Sequence, residues 1–180
     1  MSIISDTKKK FDIISFGEVM LRLSPPDKEK ISQGQVFERN RSTLLLNLLI
    51  SSTTVLPYVD ILFVSEETSR KMMQRTGTLE EIMKGYCDEF GCKVVATTRR
   101  EVVSPTRHNF GSKIYYNGKF YEEPPYENIE VVDRIGSGDA YVAGALYGFL
   151  TTNDPQTAVE YGNAMSAVKN TTLVICLLLV

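Results

Sequence analysis

The segment DRIGSGDA, residues Asp133–Ala140, is the most informative stretch of this 180-residue chain. It joins a short apolar run, Ile129–Val132, which predicts a strand, to a predicted helix that extends through Leu150. Glycines at a strand-to-helix turn let the backbone turn tightly and leave successive N–H groups unshielded. Those N–H groups and the positive end of the helix dipole predict an anion-binding site.

Asp139 falls at the start of this predicted helix, beside the anion site. Because the amino end of a helix favours negative charge, we expect its carboxylate to stay ionised. A hydroxyl nucleophile and a transferring phosphoryl group would fit between this carboxylate and the anion site. The carboxylate would accept the hydroxyl proton, and the N–H groups would stabilise the phosphoryl oxygens. The alternative interpretation is a helix-capping Asp after a Gly-rich turn, and the spacing alone leaves both open.

Two common nucleotide-binding motifs do not fit this segment. Tyr141 occupies the place of the third glycine of a dinucleotide fingerprint. The sequence also contains no Walker A motif, which excludes an ordinary P-loop.

The region before this segment predicts an α/β fold. Val59–Val64 is an almost wholly apolar run, typical of a parallel strand covered on both faces. Thr78–Phe90 predicts a helix that begins with a capping box and ends before a left-handed Gly91. Lys93–Thr98 predicts the next strand. Strand, helix and strand in that order indicate a βαβ unit and a parallel sheet.

Further elements surround this unit. Asp12–Ser24 predicts an amino-terminal strand or strand pair. Ile114–Tyr121 predicts a hairpin, because Asn117-Gly118 suits the positive φ angles of a type I′ turn. The helix through Leu150 is expected to bury an apolar face made of Val142, Leu146, Phe149 and Leu150, with small residues opposite. Asn153-Asp154-Pro155 begins a last helix.

Composition narrows the class of protein. The 20 basic and 22 acidic side chains give a net charge of −2, which offers no overall attraction to nucleic acid or to an anionic membrane. The longest apolar runs are too short to span a bilayer, which takes about 20 residues. Cys87, Cys92 and Cys176 are interpreted as reduced, buried apolar side chains of a cytoplasmic protein, and no metal site is expected.

The sequence resembles the ribokinase-like (PfkB) family of sugar kinases in several segments. Asp133–Leu150 is similar to the carboxy-terminal signature of that family, and Asp12–Pro26 to its amino-terminal strand, especially in 2-keto-3-deoxygluconate kinases. Leu56–Glu67 resembles the segment that leads to the nucleotide site. The resemblance implies a three-layer α/β fold with a mainly parallel sheet, ATP and Mg²⁺ as cofactors, and a small sugar or sugar acid as substrate.

The resemblance also assigns roles to individual residues. Asp139 would be the catalytic base and contact the sugar hydroxyl, and Gly136, Ser137 and Gly138 would form the anion hole. Arg41 would face the carboxylate or phosphate of the sugar, which suits a bidentate guanidinium. The residues expected to contact the nucleotide are Ser65, Thr97, Thr98, Arg99, Asn163 and Ala167.

The sequence departs from the family in three ways. Members are much longer, and the sugar-binding and lid region expected after Phe37 is missing near Glu38. We therefore expect one domain over residues 1–180, with the lid absent or vestigial. Ser65 and Thr68 replace the Asn and Glu (or Asp) that help organise magnesium, and Leu173–Val180 is an unexpected aliphatic tail.

These observations give one principal hypothesis and two alternatives. The first is ATP-dependent phosphorylation of a hydroxyl of a sugar or sugar acid, with 2-keto-3-deoxygluconate as the expected substrate. The second is a catalytically inactive nucleotide-binding fragment or interaction module of the same family. The third is a chain that completes its site in a homo-oligomer.

Overall fold

The computed structural model describes residues 56–173, in which five strands form one sheet and four helices cover it. The strands are β1 Ile61–Ser65, β2 Val94–Ser104, β3 Arg107–Tyr116, β4 Lys119–Glu122 and β5 Tyr126–Glu130. The helices are α1 Glu66–Lys71, α2 Leu79–Phe90, α3 Ser137–Thr152 and α4 Pro155–Asn170, and a 3₁₀ turn covers Leu56–Tyr58.

The predicted βαβ unit is confirmed. β1 and β2 pair in parallel, with Ile61 opposite Val94 and Ser65 opposite Thr98, and α2 lies between them in the chain. The other pairings among the described strands are antiparallel, so this part of the sheet is mixed. β2 continues to Ser104, six residues past the predicted end at Thr98, because β3 pairs with it along its whole length.

β4 and β5 lie end to end along the far side of β3. Lys113 of β3 is opposite Glu122 of β4, and Phe110 is opposite Tyr126 of β5. The segment between the two strands contains Pro124-Pro125, which have no N–H to donate to a ladder. The prolines therefore divide one outer strand into two short ones.

Local sequence patterns account for α2 and the hairpin. The Thr78 Oγ1 accepts from the Glu81 N–H at 3.2 Å, and the Glu81 carboxylate accepts from the Thr78 N–H at 2.7 Å, which completes the predicted capping box. Gly91 ends the helix with φ 74°. Asn117 and Gly118 have φ angles of 49° and 79°, as the predicted type I′ turn requires.

Two apolar clusters lie on opposite faces of the sheet. On one face, Ile82, Met83 and Tyr86 of α2 pack near Val95. On the other face, α3 and α4 pack over the sheet; this second cluster includes Val94, Ile114, Tyr141, Phe149 and Val159. Two helical layers thus enclose the sheet, which confirms the three-layer α/β fold.

The predicted buried face of α3 is partly wrong. Leu150 is 57% exposed and Val142 and Leu146 are half-buried, whereas Gly144 and Gly148 are buried against α4. A Cβ at Gly148 would lie 2.7 Å from the Cα of Ala158. Because the two helix backbones approach so closely, the small side chains face the interior and Leu150 faces outward.

Several predictions concern residues outside the described range. These are the strand at Asp12–Ser24, the missing segment near Glu38, the sugar-binding Arg41, Cys176 and the tail after Leu173.

Candidate active site

The turn before α3 has the backbone geometry that the glycines predict. Gly136 adopts a left-handed conformation with φ 83° and supplies no side chain to cap the helix. The Ser137 N–H donates to the Arg134 carbonyl at 3.2 Å, and the Ala140 N–H donates to the Gly136 carbonyl at 2.9 Å. The N–H groups between these two have no side-chain cap in the described structure, so they are available to an anion.

Asp139 lies in the first turn of α3 and is exposed. It makes no hydrogen bond or ion pair with any residue from 56 to 173, so it does not act as the helix cap that the alternative interpretation requires. Gly138 beside it is exposed too, and a Cβ there would meet no atom within 4 Å. A carboxylate and a set of free N–H groups therefore share one open surface.

The carboxyl ends of the parallel strands lie close to this surface. Phe63 of β1 contacts Tyr141 of α3 edge to face, with ring centroids 6.2 Å apart. The Lys71 hydrogen bond, with smaller contributions from Arg100 and Arg134, lowers the pKa of Glu67 just after β1. Because Phe63 lies two residues before the end of β1, its contact with Tyr141 places the first turns of α3 near that strand end, where open α/β sheets bind their ligands.

Ser65 and Thr68 form a small hydroxyl pair at the end of β1. The Ser65 Oγ accepts from the Thr68 N–H at 3.0 Å, and the two hydroxyl oxygens lie 2.8 Å apart. The carboxylates between them are ion-paired, Glu66 with Arg70 at 2.9 Å and Glu67 with Lys71 at 2.7 Å.

Thr97, Thr98 and Arg99 alternate across the sheet, as successive strand residues must. Thr97 is buried on the α2 face, whereas Thr98 is half-buried on the face covered by α3, opposite Ser65 and Ser112. Arg99 is exposed. The structure therefore makes Thr98 and Ser65 neighbours on the face of the sheet that α3 and α4 cover, and it places Thr97 on the other face.

Asn163 and Ala167 lie within the packing of α4 against its neighbours. Asn163 is completely buried, and its Nδ2 donates to the Glu123 carboxylate at 2.8 Å. Ala167 is 8% exposed. Neither side chain lies on the open surface with Asp139, so their predicted contact with the nucleotide stays a prediction.

Sequence reasoning missed one residue that holds the turn before α3 in place. Lys169, near the end of α4, is completely buried, and its Nζ donates to the Asp133 carbonyl at 3.0 Å. Its ammonium also donates to the Thr172 carbonyl at 3.1 Å. No local pattern marks this lysine, because lysines in helices are mostly exposed.

The cysteines in the described range behave as apolar side chains. Cys92 is buried, and burial raises the pKa of its thiol to about 11. Between residues 56 and 173, no three His, Cys, Asp or Glu side chains are placed so that they could hold a metal ion together. In the same range, no helix has the length and apolar character to cross a bilayer.

His108 gives the free energy of unfolding a testable pH dependence. It is buried in β3, opposite Ile129 of β5, and burial together with the charges of Arg100 and Arg134 lowers its pKa below 6.5. Because the unfolded chain then binds more protons than the folded one, the contribution of His108 to stability is present above pH 6.5 and is lost as pH falls through its folded pKa.

We therefore expect the free energy of unfolding to fall between pH 7.5 and 5.5 in the wild type and to change less in His108→Phe. Urea titrations at each pH measure this difference. His108 is the only histidine of the chain, so the comparison isolates it. Equal pH dependence in the two proteins would contradict the prediction.

These observations define a class of protein: a three-layer α/β protein in which a glycine turn leads into an uncapped helix amino terminus with an adjacent exposed carboxylate. Comparison with known families identifies the family. Residues 28–172 match the model of the pfkB family of carbohydrate kinases, and the chain belongs to that family.

Two relatives share more than a quarter of their aligned residues with the chain. A 2-dehydro-3-deoxygalactonokinase from Haloferax volcanii is 30% identical over 118 residues, which are 66% of this chain and 34% of that protein. The crystal structure of 2-dehydro-3-deoxygluconokinase from Thermotoga maritima superimposes with a TM-score of 0.68 and 27% identity, over 79% of this chain and 45% of that one.

A third relative shares the fold. An adenosine kinase from Sinorhizobium meliloti superimposes with a TM-score of 0.60 at 18% identity, over 77% of this chain and 39% of that chain. The matched region thus makes up between 34% and 45% of the length of each of these three relatives.

Proposed function

We propose that this protein catalyses ATP-dependent phosphorylation of a hydroxyl group on a 2-keto-3-deoxy sugar acid, with residues 1–180 forming one kinase domain. One observation carries the proposal. Asp139 is an exposed, unpaired carboxylate in the first turn of α3, beside N–H groups that no described side chain caps. A capping role would use the carboxylate within the helix, whereas a base must face its substrate.

The residues of the turn divide the chemistry between them. Asp139 accepts the proton of the attacking hydroxyl, and the oxygen of that hydroxyl forms the new bond to the γ-phosphorus as the bond to ADP breaks. The turn Gly136–Gly138 forms the anion hole, and the free N–H groups of Gly138 and Asp139 receive the phosphoryl oxygens. Gly136 makes this possible, because its left-handed conformation turns the chain into the helix.

The described residues fit the phosphates of a nucleotide better than they fit a bare metal ion. An uncapped helix amino terminus suits a phosphate. Near β1, Glu66 and Glu67 are already paired with Arg70 and Lys71. Mg²⁺ would therefore arrive bound to ATP and neutralise the charge of its phosphates. This is common for Mg²⁺, because the ion usually keeps several water ligands and binds substrate phosphate oxygens. A candidate ribokinase II from E. coli, similar in fold, has been solved with ATP and Mg²⁺.

The substrate class rests on two relatives and on one arginine. The relatives at 30% and 27% identity are named for 2-dehydro-3-deoxy sugar acids, which differ from ordinary sugars by a carboxylate. Arg41 is proposed to bind that carboxylate, and it lies outside the described residues. Ser65, Thr98 and Arg99 are proposed to line the nucleotide, since Ser65 ends β1 and the other two lie where the parallel pairing of β1 with β2 ends. The protein would work in the cytoplasm.

A coupled assay for ADP release tests the proposal. Purified chain of verified mass is incubated with MgATP alone, with 2-keto-3-deoxygluconate, and with its galactonate isomer. We expect sugar-acid-dependent ADP release, and a much smaller rate with ribose, which lacks the carboxylate. Release that no sugar stimulates, from folded protein, would contradict the kinase proposal.

The length of the chain favours a second candidate function. Because it spans less than half of the relatives it matches, this protein could retain the nucleotide site without a sugar site. That candidate predicts ADP binding in calorimetry with no sugar-dependent turnover. A chain that completes its sugar site in a homo-oligomer would instead show turnover that rises with protein concentration.

A further inference from the structure

The ammonium of Lys169 lies between three oxygen atoms at the base of the turn. Nζ donates to the carbonyl oxygens of Asp133 and Thr172, at 3.0 and 3.1 Å, and it lies 4.0 Å from a carboxylate oxygen of Asp133. The whole side chain is buried. An ammonium has three donors and no acceptor, so an environment of three oxygens suits it.

The same end of α4 holds the turn at two further points. The N–H groups of Val132 and Asp133 both donate to the Asn170 carbonyl, at 2.8 and 3.3 Å. The Asp133 carboxylate in turn accepts from the Ile135 N–H at 3.0 Å. The end of α4 thus holds the chain where it leaves β5, at Val132 and Asp133. The Asp133 carboxylate in turn holds Ile135, the residue just before Gly136.

Lysine is an unusual choice for a purely structural contact here. A buried charge is costly unless oxygens surround it, and an apolar side chain would fill the same space without that cost. The last carbonyls of a helix favour a cation, which explains why α4 tolerates one at this place. The ammonium is bonded to Asp133, at the start of the turn that is proposed to receive an anion. This position indicates that its charge orders the turn.

We propose that Lys169 is a positioning residue whose ammonium holds the Asp133–Gly136 turn and thereby sets the N–H groups at the start of α3 for the transferred phosphoryl group. The inference rests on the proposed function for its catalytic consequence. Its structural part, that the ammonium orders the turn, is independent of any activity. Lys169 itself touches neither sugar nor nucleotide in this scheme.

Three variants separate charge, hydrogen bonding and packing. Lys169→Met retains the length of the side chain without charge or donors, and Lys169→Gln retains donors without charge. Lys169→Ala leaves a space that n-propylammonium matches, because that cation has the three carbons and the nitrogen that are removed. Lys93→Met is the matched control, since Lys93 is half-exposed and pairs with Asp60 at 3.0 Å just before β2, at the opposite end of the parallel strands.

The first readout is amide hydrogen exchange, which needs no activity. In Lys169→Met we expect faster exchange at Asp133, whose N–H donates to Asn170 of α4, and at Ile135 and Ser137, whose N–H groups are bonded within the turn. Exchange in α2 should be unchanged. Lys93→Met should leave the turn as it is in the wild type. If Lys169→Met does not fold, Lys169→Gln takes its place, and unchanged exchange in a folded variant would overturn the proposal.

The second readout is kinetic. We expect kcat to fall by about 100-fold in Lys169→Met, with KM for the sugar changed by less than about threefold, because a misplaced catalytic turn costs rate rather than binding. n-Propylammonium should restore much of the rate and of the exchange protection to Lys169→Ala, whereas tetramethylammonium at equal concentration should not. A folded Lys169→Ala that no amine restores would overturn the proposal.

The two readouts also distinguish the failure of one proposal from that of the other. If the wild type shows no sugar-dependent turnover, the proposed function fails, and hydrogen exchange with n-propylammonium rescue still decides the role of Lys169. If the wild type turns over and Lys169→Met retains both rate and exchange protection, only the inference about Lys169 fails.

Discussion

Asp139→Asn is expected to reduce kcat for sugar-dependent ADP release by about 10³-fold, because an amide cannot accept the proton of the attacking hydroxyl. ADP should bind with unchanged or slightly higher affinity, since the change removes a negative charge beside the phosphate-binding N–H groups and alters no described contact. Rate measurement and calorimetry with ADP on the same preparation test both parts.

Asp88→Asn is the control for this variant. Asp88 is an exposed carboxylate on α2, on the opposite side of the sheet from α3. We expect it to keep the rate of the wild type. Turnover retained in Asp139→Asn would contradict the assignment of Asp139 as the base, and loss of ADP binding in that variant would mean that the residue holds the turn instead.

Gly144→Ala should destabilise the fold by about 3 kcal/mol, at the upper end of overpacking effects. A Cβ at this position would overlap the Tyr161 carbonyl oxygen and lie 2.8 Å from the carbonyl carbon and 2.9 Å from Cγ of Met165. Because the first two are backbone atoms, relief requires α3 and α4 to move apart. Urea unfolding followed by circular dichroism measures the loss.

Gly85→Ala provides the matched control. Gly85 lies within α2, and a Cβ there would meet no atom within 4 Å. Alanine should therefore stabilise the fold by about 0.5–1 kcal/mol, because glycine is the poorer helix former. If both substitutions changed stability by the same amount, the close approach of α3 to α4 would not be the cause.

The elements that the sequence predicted well are those decided by local chemistry. The capping box at Thr78, the left-handed Gly91 and the Asn117-Gly118 turn each depend on residues a few positions apart. The turn at Gly136 belongs to the same group. Such features fold similarly in many contexts, so a pattern of residue types is sufficient to find them.

The features that sequence reasoning missed depend on distant neighbours. The extension of β2 to Ser104 comes from its pairing with β3, and the outward Leu150 comes from the approach of α4 to Gly144 and Gly148. Lys169 is 36 residues from the carbonyl it binds at Asp133. Periodicity reports which residues are apolar, but it does not report which neighbour they meet.

The residues of the candidate site also differ in how far the sequence alone could place them. Asp139 and the glycines before it were found from one continuous segment, and the structure places them on one surface. Ser65 and Thr98 come from separate strands, yet β1 and β2 pair so that they are adjacent. For Asn163 the structure shows burial and a hydrogen bond to Glu123, so the contact with the nucleotide that the resemblance implies stays a prediction.

The division of the outer strand by Pro124-Pro125 limits strand addition along this side of the described sheet. Two short strands interrupted by prolines offer a poor template for a further strand, which is a common protection against uncontrolled polymerisation. In the described sheet, β1 at the other edge is an unbroken apolar strand with the sequence ILFVS. Within residues 56–173, the side of the sheet formed by β4 and β5 is therefore the less suited of its two edges to pair with a further strand.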